Sequence, residues 1–260
     1  MGEAIFGGLL ASSEPMVAGI DKHKISVVEP TVSRGAYLQK RYGVTCVSDI
    51  GCLPAADVVV LAVKPQVIVN VLTNMQNMPA FENALFISIA AGVTTDTLNQ
   101  LLPAGARLVR VMPNLPLVVG AGASVVCSSA TSTEEDVAWV CKLFACLGSA
   151  DIISEDEIDI ASALSGSGPA YVCALIEALA QAATEQGLSA ELAASLAKQT
   201  VYGTALQLKE TEISPAELRE AVSSPGGTTL AALAAMKEAG MQEMYARGIA
   251  AAIRRAKELA

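Results

Sequence analysis

VVVLAVKP, residues 58 to 65, is an unbroken apolar run that ends on a lysine and a proline. A run of that length and composition fits a strand buried on both faces, which is what a parallel sheet covered by helices needs. The same character returns at 85–90 (LFISIA) and at Arg107–Met112 (RLVRVM), with helical stretches near 67–75 and 95–101 in between. Upstream, 25–29 reads as a strand followed by a helix over 34–42; downstream, a strand near 123–128 precedes a helix over 133–147. Strand, helix and strand at this cadence predict an α/β fold of the doubly wound, mostly parallel kind.

The β signals stop at Ser154. Ser154-Glu155-Asp156-Glu157 has the pattern of a capping box, in which serine and glutamate satisfy each other's free amides. Helices are expected at 155–164, 169–186, 190–209, 215–222, Thr228–Glu238 and Met241–Leu259, with a second box at Ser214-Pro215-Ala216-Glu217. The boundary is placed near residue 153, giving a sheet-bearing domain over 1–153 and an all-helical domain over 154–260. Alanine-rich faces allow the helix axes of the second domain to approach closely. A helical half of this kind suits a substrate pocket and an oligomer interface.

Composition narrows the function. The 260 residues are 52% hydrophobic and 17% charged, with a net charge of −9. Acidity on this scale argues against a nucleic-acid partner, which needs a clustered basic surface. Six cysteines without a C-x-x-C pair, and His23 as the only histidine, leave no zinc-ligand spacing and no metal site to expect. The lone His23 also disfavours a Ser-His-Asp triad, and no G-x-x-x-x-G-K phosphate loop is present. The N-terminus lacks the form of a signal peptide, and the uncharged stretch 160–176 carries Ser, Gly and Pro, which makes it a poor membrane span. A reduced, cytoplasmic, soluble protein without a membrane partner is the expectation.

Four places stand out chemically. Ala62-Val63-Lys64-Pro65 follows a buried strand, and open α/β sheets bind ligands beyond the carboxyl ends of their strands. Lys64 there can face a phosphate or merely solvent. Met112-Pro113-Asn114-Leu115-Pro116 and Ala90-Ala91-Gly92 end two further strands with rigid or small residues. Ser165-Gly166-Ser167-Gly168-Pro169-Ala170-Tyr171 and Ser223-Ser224-Pro225-Gly226-Gly227-Thr228-Thr229 each lead into a helix, whose first amides favour a carboxylate or phosphate. Either is equally a helix-to-helix turn, where Gly and Ser are ordinary punctuation.

Taken together, these motifs resemble the pyrroline-5-carboxylate reductase family. The residues that carry the resemblance are Gly2-Glu3-Ala4-Ile5 with Gly7-Gly8-Leu9, Val63-Lys64-Pro65-Gln66, Ser88-Ile89-Ala90-Ala91-Gly92, Val111-Met112-Pro113-Asn114, Ser165 to Tyr171, and Ser224-Pro225-Gly226-Gly227-Thr228-Thr229. They run in order along nearly the whole chain. The resemblance implies a Rossmann-type domain, then a helical dimerisation domain, and reduction of a cyclic imine to proline with NADPH or NADH. It implies that Thr229 and Ser224 act at the reacting ring, with Thr229 on the ring nitrogen. Gly226, Gly227 and Thr228 hold the substrate carboxylate, while Ser165, Gly166, Ser167 and Gly168 form an adjoining wall and Glu155 lies close by. Gly2, Ala62, Val63, Lys64, Pro65, Ala90, Ala91, Pro113 and Asn114 line the cofactor. A homodimer through the helical half, possibly built into a larger ring, is implied as well.

Two departures affect the cofactor. Glu29-Pro30 ends the first strand, and a carboxylate there suits a free ribose 2′-hydroxyl, hence NADH. Ser33 and Arg34 lie one helical turn further on, within reach of a 2′-phosphate. The second departure is MGEAIFGGLL, residues 1 to 10, which reads as the helix after a glycine-rich dinucleotide turn, with Gly2 as that turn's last glycine. The expectation is that the reading frame is started too far downstream of the first strand. The competing readings are a truncated homologue that only dimerises, and a 3-hydroxyacid-type dehydrogenase with Lys198 or Lys209 as its catalytic lysine.

Overall fold

A parallel sheet grows outward from residues 58–61 in the computed structural model, which describes residues 1–15, 17 and 20–259. Strand β3 (Val58–Leu61) pairs in parallel with β4 (Leu85–Ser88), and β4 with β5 (Arg107–Met112). Strand β6 (Gly122–Ser128) runs antiparallel to β5, and β7 (Gly148–Ile152) parallel to β6, closing a five-stranded sheet of order β3-β4-β5-β6-β7. The reversal at β6 follows from its connection: a short helical turn at Leu115–Val119 joins β5 to β6, too little chain for a parallel crossover. Strands β1 (Ser26–Val28) and β2 (Thr45–Val47) form a separate two-stranded parallel sheet. Among the described residues, no strand pairs with the outer edge of β3, and Val58 and Val60 stand 36% and 39% exposed there.

The two-faced burial read from the apolar runs is visible in β4. Leu85 and Ile87 enter one core with Val109, Val126, Val140 and Phe144, joined by Ile5 and Leu9 of α1 (Gly2–Ala11). Phe86, between them, points into the opposite core with Leu108, Leu98 and Phe81. That second core receives Ile68, Leu72 and Met75 from α3 (Pro65–Met75). Alternation by residue, with both faces covered, is what made these strands read as continuous apolar runs. Helices α2 (Val32–Tyr42), α4 (Thr95–Asn99) and α5 (Glu134–Ala145) complete this layer.

Several details differ from the sequence reading. Strands β2 and β7 were not expected, because TCV is very short and GSADI mixes glycine, serine and aspartate into its run. The expected helix over 155–164 breaks into a 3-10 turn at Glu155–Glu157, α6 (Ile158–Ala161) and a π turn at Ser162–Gly166. In that turn Ser167 N donates to Ser162 O at 3.0 Å, and Ser165 Oγ donates back to Ala161 O at 2.9 Å. The π turn keeps the backbone helical through the Ser-Gly-Ser-Gly segment. Glu155–Glu185 is therefore one helical run, long and apolar enough by length and composition to cross a membrane, where the sequence reading judged 160–176 a poor span.

The chain divides into two units, Met1–Ser167 with Ile253–Ala260, and Gly168–Ala252. The division falls after Ser167 and not near 153: Glu155 is bonded to Arg110 on β5, and Ser165 O accepts from Asn114 just beyond that strand. The second unit contains α7 (Gly168–Glu185), α8 (Ala190–Thr211), α9 (Pro215–Ala221), α10 (Thr228–Glu238) and most of α11 (Met241–Leu259). Helices α7 and α8 pack on one another, yet Val172, Leu175, Leu192, Leu196, Tyr202 and Leu206 on these two helices remain exposed. Both capping boxes are formed: Ser154 and Ser214 each donate from backbone and hydroxyl to the glutamate three residues on.

Gly148 is a position where only glycine serves. Its φ is +145°, and a Cβ would collide with the backbone of Gly122, its partner in the β6–β7 register. Gly148→Ala is expected to destabilise the protein by about 2 kcal/mol or more. Thermal unfolding followed by circular dichroism measures this; an unchanged midpoint would contradict the register.

Candidate functional site

The carboxyl ends of β3 and β5 converge with the start of α1 on a cavity of about 330 Å³. Met1, Ala62, Val63, Lys64, Ile89, Met112 and Pro113 line it. Four of the residues expected to meet a cofactor are thus together: Ala62, Val63, Lys64 and Pro113. Gly2 packs beside them, since a Cβ on it would lie 3.0 Å from the Cβ of Ala62. Met1 offers no side-chain cap, so the first amides of α1 have no acceptor within the helix. Free amides at a helix start beside Lys64 and small side chains suit an anionic, flat-ringed ligand, and these residues fit a dinucleotide. Pro65 starts α3 behind this wall. Ala90 points away into the α3-side core and Ala91 is exposed, so Ile89 lines the cavity where Ala90 was expected to.

Asn114, also expected at the cofactor, is 8% exposed and is engaged by its own chain. Its Nδ2 donates to Ser165 O at 3.0 Å and its Oδ1 accepts from Ala123 N at 2.8 Å. Glu155, expected near substrate, is likewise engaged. Oε1 accepts from Thr95 N and from Arg110 Nη1, both at 2.7 Å, and Oε2 accepts from Thr95 Oγ1 at 2.6 Å. The Arg110 side chain is 5% exposed and that of Glu155 29%. Burial alone would raise the Glu155 carboxyl, but the Thr95 bonds and the Arg110 guanidinium hold it below the ordinary carboxylate value. Asp96, Asp156 and Asp159 line a second cavity of about 310 Å³ around this pair.

Together Glu155, through Arg110, and Asn114 tie the segment that carries Ser165, Gly166 and Ser167 to β5 and the turn that follows it. Gly166 is pressed there against Met112, whose Cε would lie 3.2 Å from an added Cβ. Beyond β1, Glu29 Oε1 accepts from Thr31 N at 3.0 Å, and Ser33 is exposed. Arg34 pairs with Glu3 at the first turn of α1.

In the helical unit, Ser223 to Gly227 form the turn into α10. Gly226 has a φ of +71°, and Gly227 N donates to Ser224 O at 3.0 Å. Gly227 is the N-cap and has no side chain to cap with, so the amides of Thr228 and Thr229 have no helical acceptor. Ser224 and Thr228 are exposed and Thr229 half-buried. Lys198 and Lys209, the lysines of the dehydrogenase alternative, lie on α8.

Sequence reasoning used no signal from Thr95 or Arg110, and assigned Met112 and Glu3, though both stand in its motifs, no individual role. Arg110 did carry a signal: a charged residue in the middle of a strand otherwise buried throughout needs a partner. Its partner could not be named, because it lies 45 residues away along the chain.

Comparison with known proteins adds the following. The family description "NADP oxidoreductase coenzyme F420-dependent" matches residues 1–92, and "Pyrroline-5-carboxylate reductase dimerisation" matches residues 155–259. The chain is similar to the pyrroline-5-carboxylate reductase of Synechocystis sp., at 37% identity over 100% of the chain and 94% of the relative. It is similar to that of Escherichia coli at 37% identity over 93% and 88%. Among solved structures, the pyrroline-5-carboxylate reductase of Coxiella burnetii is similar at 36% identity and a TM-score of 0.91, covering 100% of this chain and 94% of that one. The Plasmodium falciparum pyrroline carboxylate reductase with NADP bound is similar at 30% identity and a TM-score of 0.82, with the same coverages.

The Arg110–Glu155 pair generates a pH-dependent expectation. A lowered folded pKa means the pair's contribution is complete above the ordinary carboxyl value of 4.5 and is lost as pH falls through the folded value. Glu155→Gln is expected to cost about 3 kcal/mol at neutral pH, by leaving a buried guanidinium uncompensated. Below pH 4.5 the gap between variant and wild type narrows. Urea unfolding at the two pH values checks both points, and a gap that is constant with pH would show that the pair is not ionised in the folded protein.

Proposed function

The chain belongs to the pyrroline-5-carboxylate reductase family, and from that premise we propose how its residues divide the work. The reaction is the NAD(P)H-dependent reduction of 1-pyrroline-5-carboxylate to L-proline, the last step of proline biosynthesis. A bound reduced nicotinamide supplies the hydride. A protonated imine is already electrophilic, so the protein's task is to hold, orient and exclude water more than to supply a strong acid. That agrees with a chain whose single imidazole, His23, sits in a surface turn at Lys22–Lys24.

The observation that carries the substrate assignment is the uncapped start of α10. Two free amides behind a serine and paired glycines make a receptor for one carboxylate. Ser224, Gly226, Gly227 and Thr228 take the substrate carboxylate. The Thr229 hydroxyl bonds the ring nitrogen. Ser165, Gly166, Ser167 and Gly168 form the adjoining wall, while Gly2, Ala62, Val63, Lys64 and Pro113 receive the dinucleotide. Glu155 and Asn114 are positioning residues that hold the 162–167 turn against β5.

The exposed Val172, Leu175, Leu192, Leu196, Tyr202 and Leu206 of α7 and α8 fit burial against a second copy of the chain, in a homodimer that can extend to a larger ring. On this reading the long apolar run Glu155–Glu185 faces a partner subunit instead of lipid, and the enzyme works in the cytoplasm. The alternative is a dimeric homologue without turnover.

Oxidation of NADH or NADPH on addition of pyrroline-5-carboxylate separates the two. Turnover by the full chain is expected, with Thr229→Val lowering kcat about a hundredfold and Ser224→Ala raising KM more than it lowers kcat. A dimer that binds dinucleotide yet never turns over would sink the catalytic reading.

A further inference from the structure

Three groups determine whether the adenosine end of a dinucleotide site can accept a phosphate: a carboxylate after the second strand of such a fold, nearby cations, and whatever those cations already hold. Here the carboxylate is Glu29 at the end of β1, and the next cation downstream is Arg34 in the first turn of α2. Arg34 Nη2 is bonded to Glu3 Oε2, which belongs to the first turn of α1. The other oxygen, Oε1, accepts from Tyr42 Oη at 2.9 Å, and the Tyr42 ring is held edge-on by Phe6 with centroids 5.1 Å apart. The Arg34 guanidinium also lies over the Tyr37 ring, 4.9 Å from its centroid. Arg41, two turns further along α2, donates to Tyr37 Oη at 2.9 Å. Glu3 is thus locked from both oxygens, by groups that are themselves packed.

A 2′-phosphate carries between one and two negative charges near neutral pH and is drawn chiefly by net positive charge. The Arg34–Glu3 pair has none to offer. The Arg34 side chain is 44% exposed, but its charge is offset by a carboxylate in direct contact. A phosphate entering there would also approach Glu29, whereas a free ribose hydroxyl can donate to that carboxylate. We propose that Glu3 is a cofactor-selectivity residue: by holding Arg34 it withholds that cation from a ribose 2′-phosphate and sets the chain towards NADH. The assignment rests on the reductase reading and names the dinucleotide that the same site takes.

Isothermal titration calorimetry of the full chain with NAD+ and with NADP+ tests it without relying on turnover. Wild type is expected to bind NAD+ more tightly. Glu3→Gln shifts the ratio of the two dissociation constants about tenfold towards NADP+. Arg34→Ala alone lowers NADP+ affinity selectively by a comparable factor, because it leaves the Glu3 carboxylate uncompensated beside the phosphate. Arg34→Ala in the Glu3→Gln background abolishes the gain. Selective loss of NADP+ affinity in the Glu3→Gln/Arg34→Ala double variant relative to wild type would overturn the proposal, since the arginine would then be serving the phosphate already. An unchanged ratio in a folded Glu3→Gln would overturn it too, and if that variant fails to fold the double variant decides by itself. Failure of wild type to bind either dinucleotide would instead overturn the reductase reading, and this inference with it.

Discussion

A guanidinium in the middle of a parallel sheet cannot be left alone. Arg110 stands on β5, which is buried along nearly its whole length, and desolvating an ion of that size costs on the order of several kcal/mol. Glu155 offsets that cost, and in doing so brings the first turn after β7 down onto β5 and the start of α4. From that contact the rest of the region follows. The chain leaves the Glu155–Glu157 turn through α6, reaches the π turn at Ser162–Gly166, and is caught a second time by Asn114 through Ser165 O. The Ser162–Gly166 turn is therefore held once at β5 and once at Asn114 just beyond it, and Gly166 packs against Met112, a cavity-lining residue.

The same buried neighbourhood shows what the chemistry does not use. Cys127 lies opposite Arg110 in the β5–β6 register, and burial, with the Glu155 charge adding to it, pushes its thiol up to about 11 despite the arginine. A thiol that stays protonated is a packing residue and no nucleophile. The six cysteines are all unpaired; Cys127 is buried, while Cys52 and Cys173 are exposed. What is left for the reaction is amide geometry, small residues and hydroxyls, which suits an imine that needs orientation more than activation.

Much of this was legible in the sequence. The runs at 58–61, 85–88 and 107–112 announced a doubly covered parallel sheet because burial on two faces excludes polar residues, and each was found as a strand. Helix limits from 168 onward were readable because serine caps and Pro215 mark them chemically. Strands β2 and β7 were illegible because they owe their pairing to neighbours and not to their own composition. The roles of Glu155, Asn114 and Arg34 could not be read either. Each looked like a ligand-facing group, and each is engaged by a partner at least 31 residues distant, which local pattern cannot report. Placing Ala90 at the cavity missed by one residue, and in a strand end one residue is the opposite face.

The central claim is that Arg110 on β5, through Glu155, and Asn114 just beyond β5, through Ser165, hold the 162–167 turn in place. Native-state amide hydrogen exchange on the Glu155→Gln/Asn114→Ala double variant tests it most directly. The account predicts that protection is lost at residues 155–167 while β4, β5 and α7 exchange as in the wild type. Unchanged protection over 162–167 would contradict it, as would a loss spread evenly through the sheet.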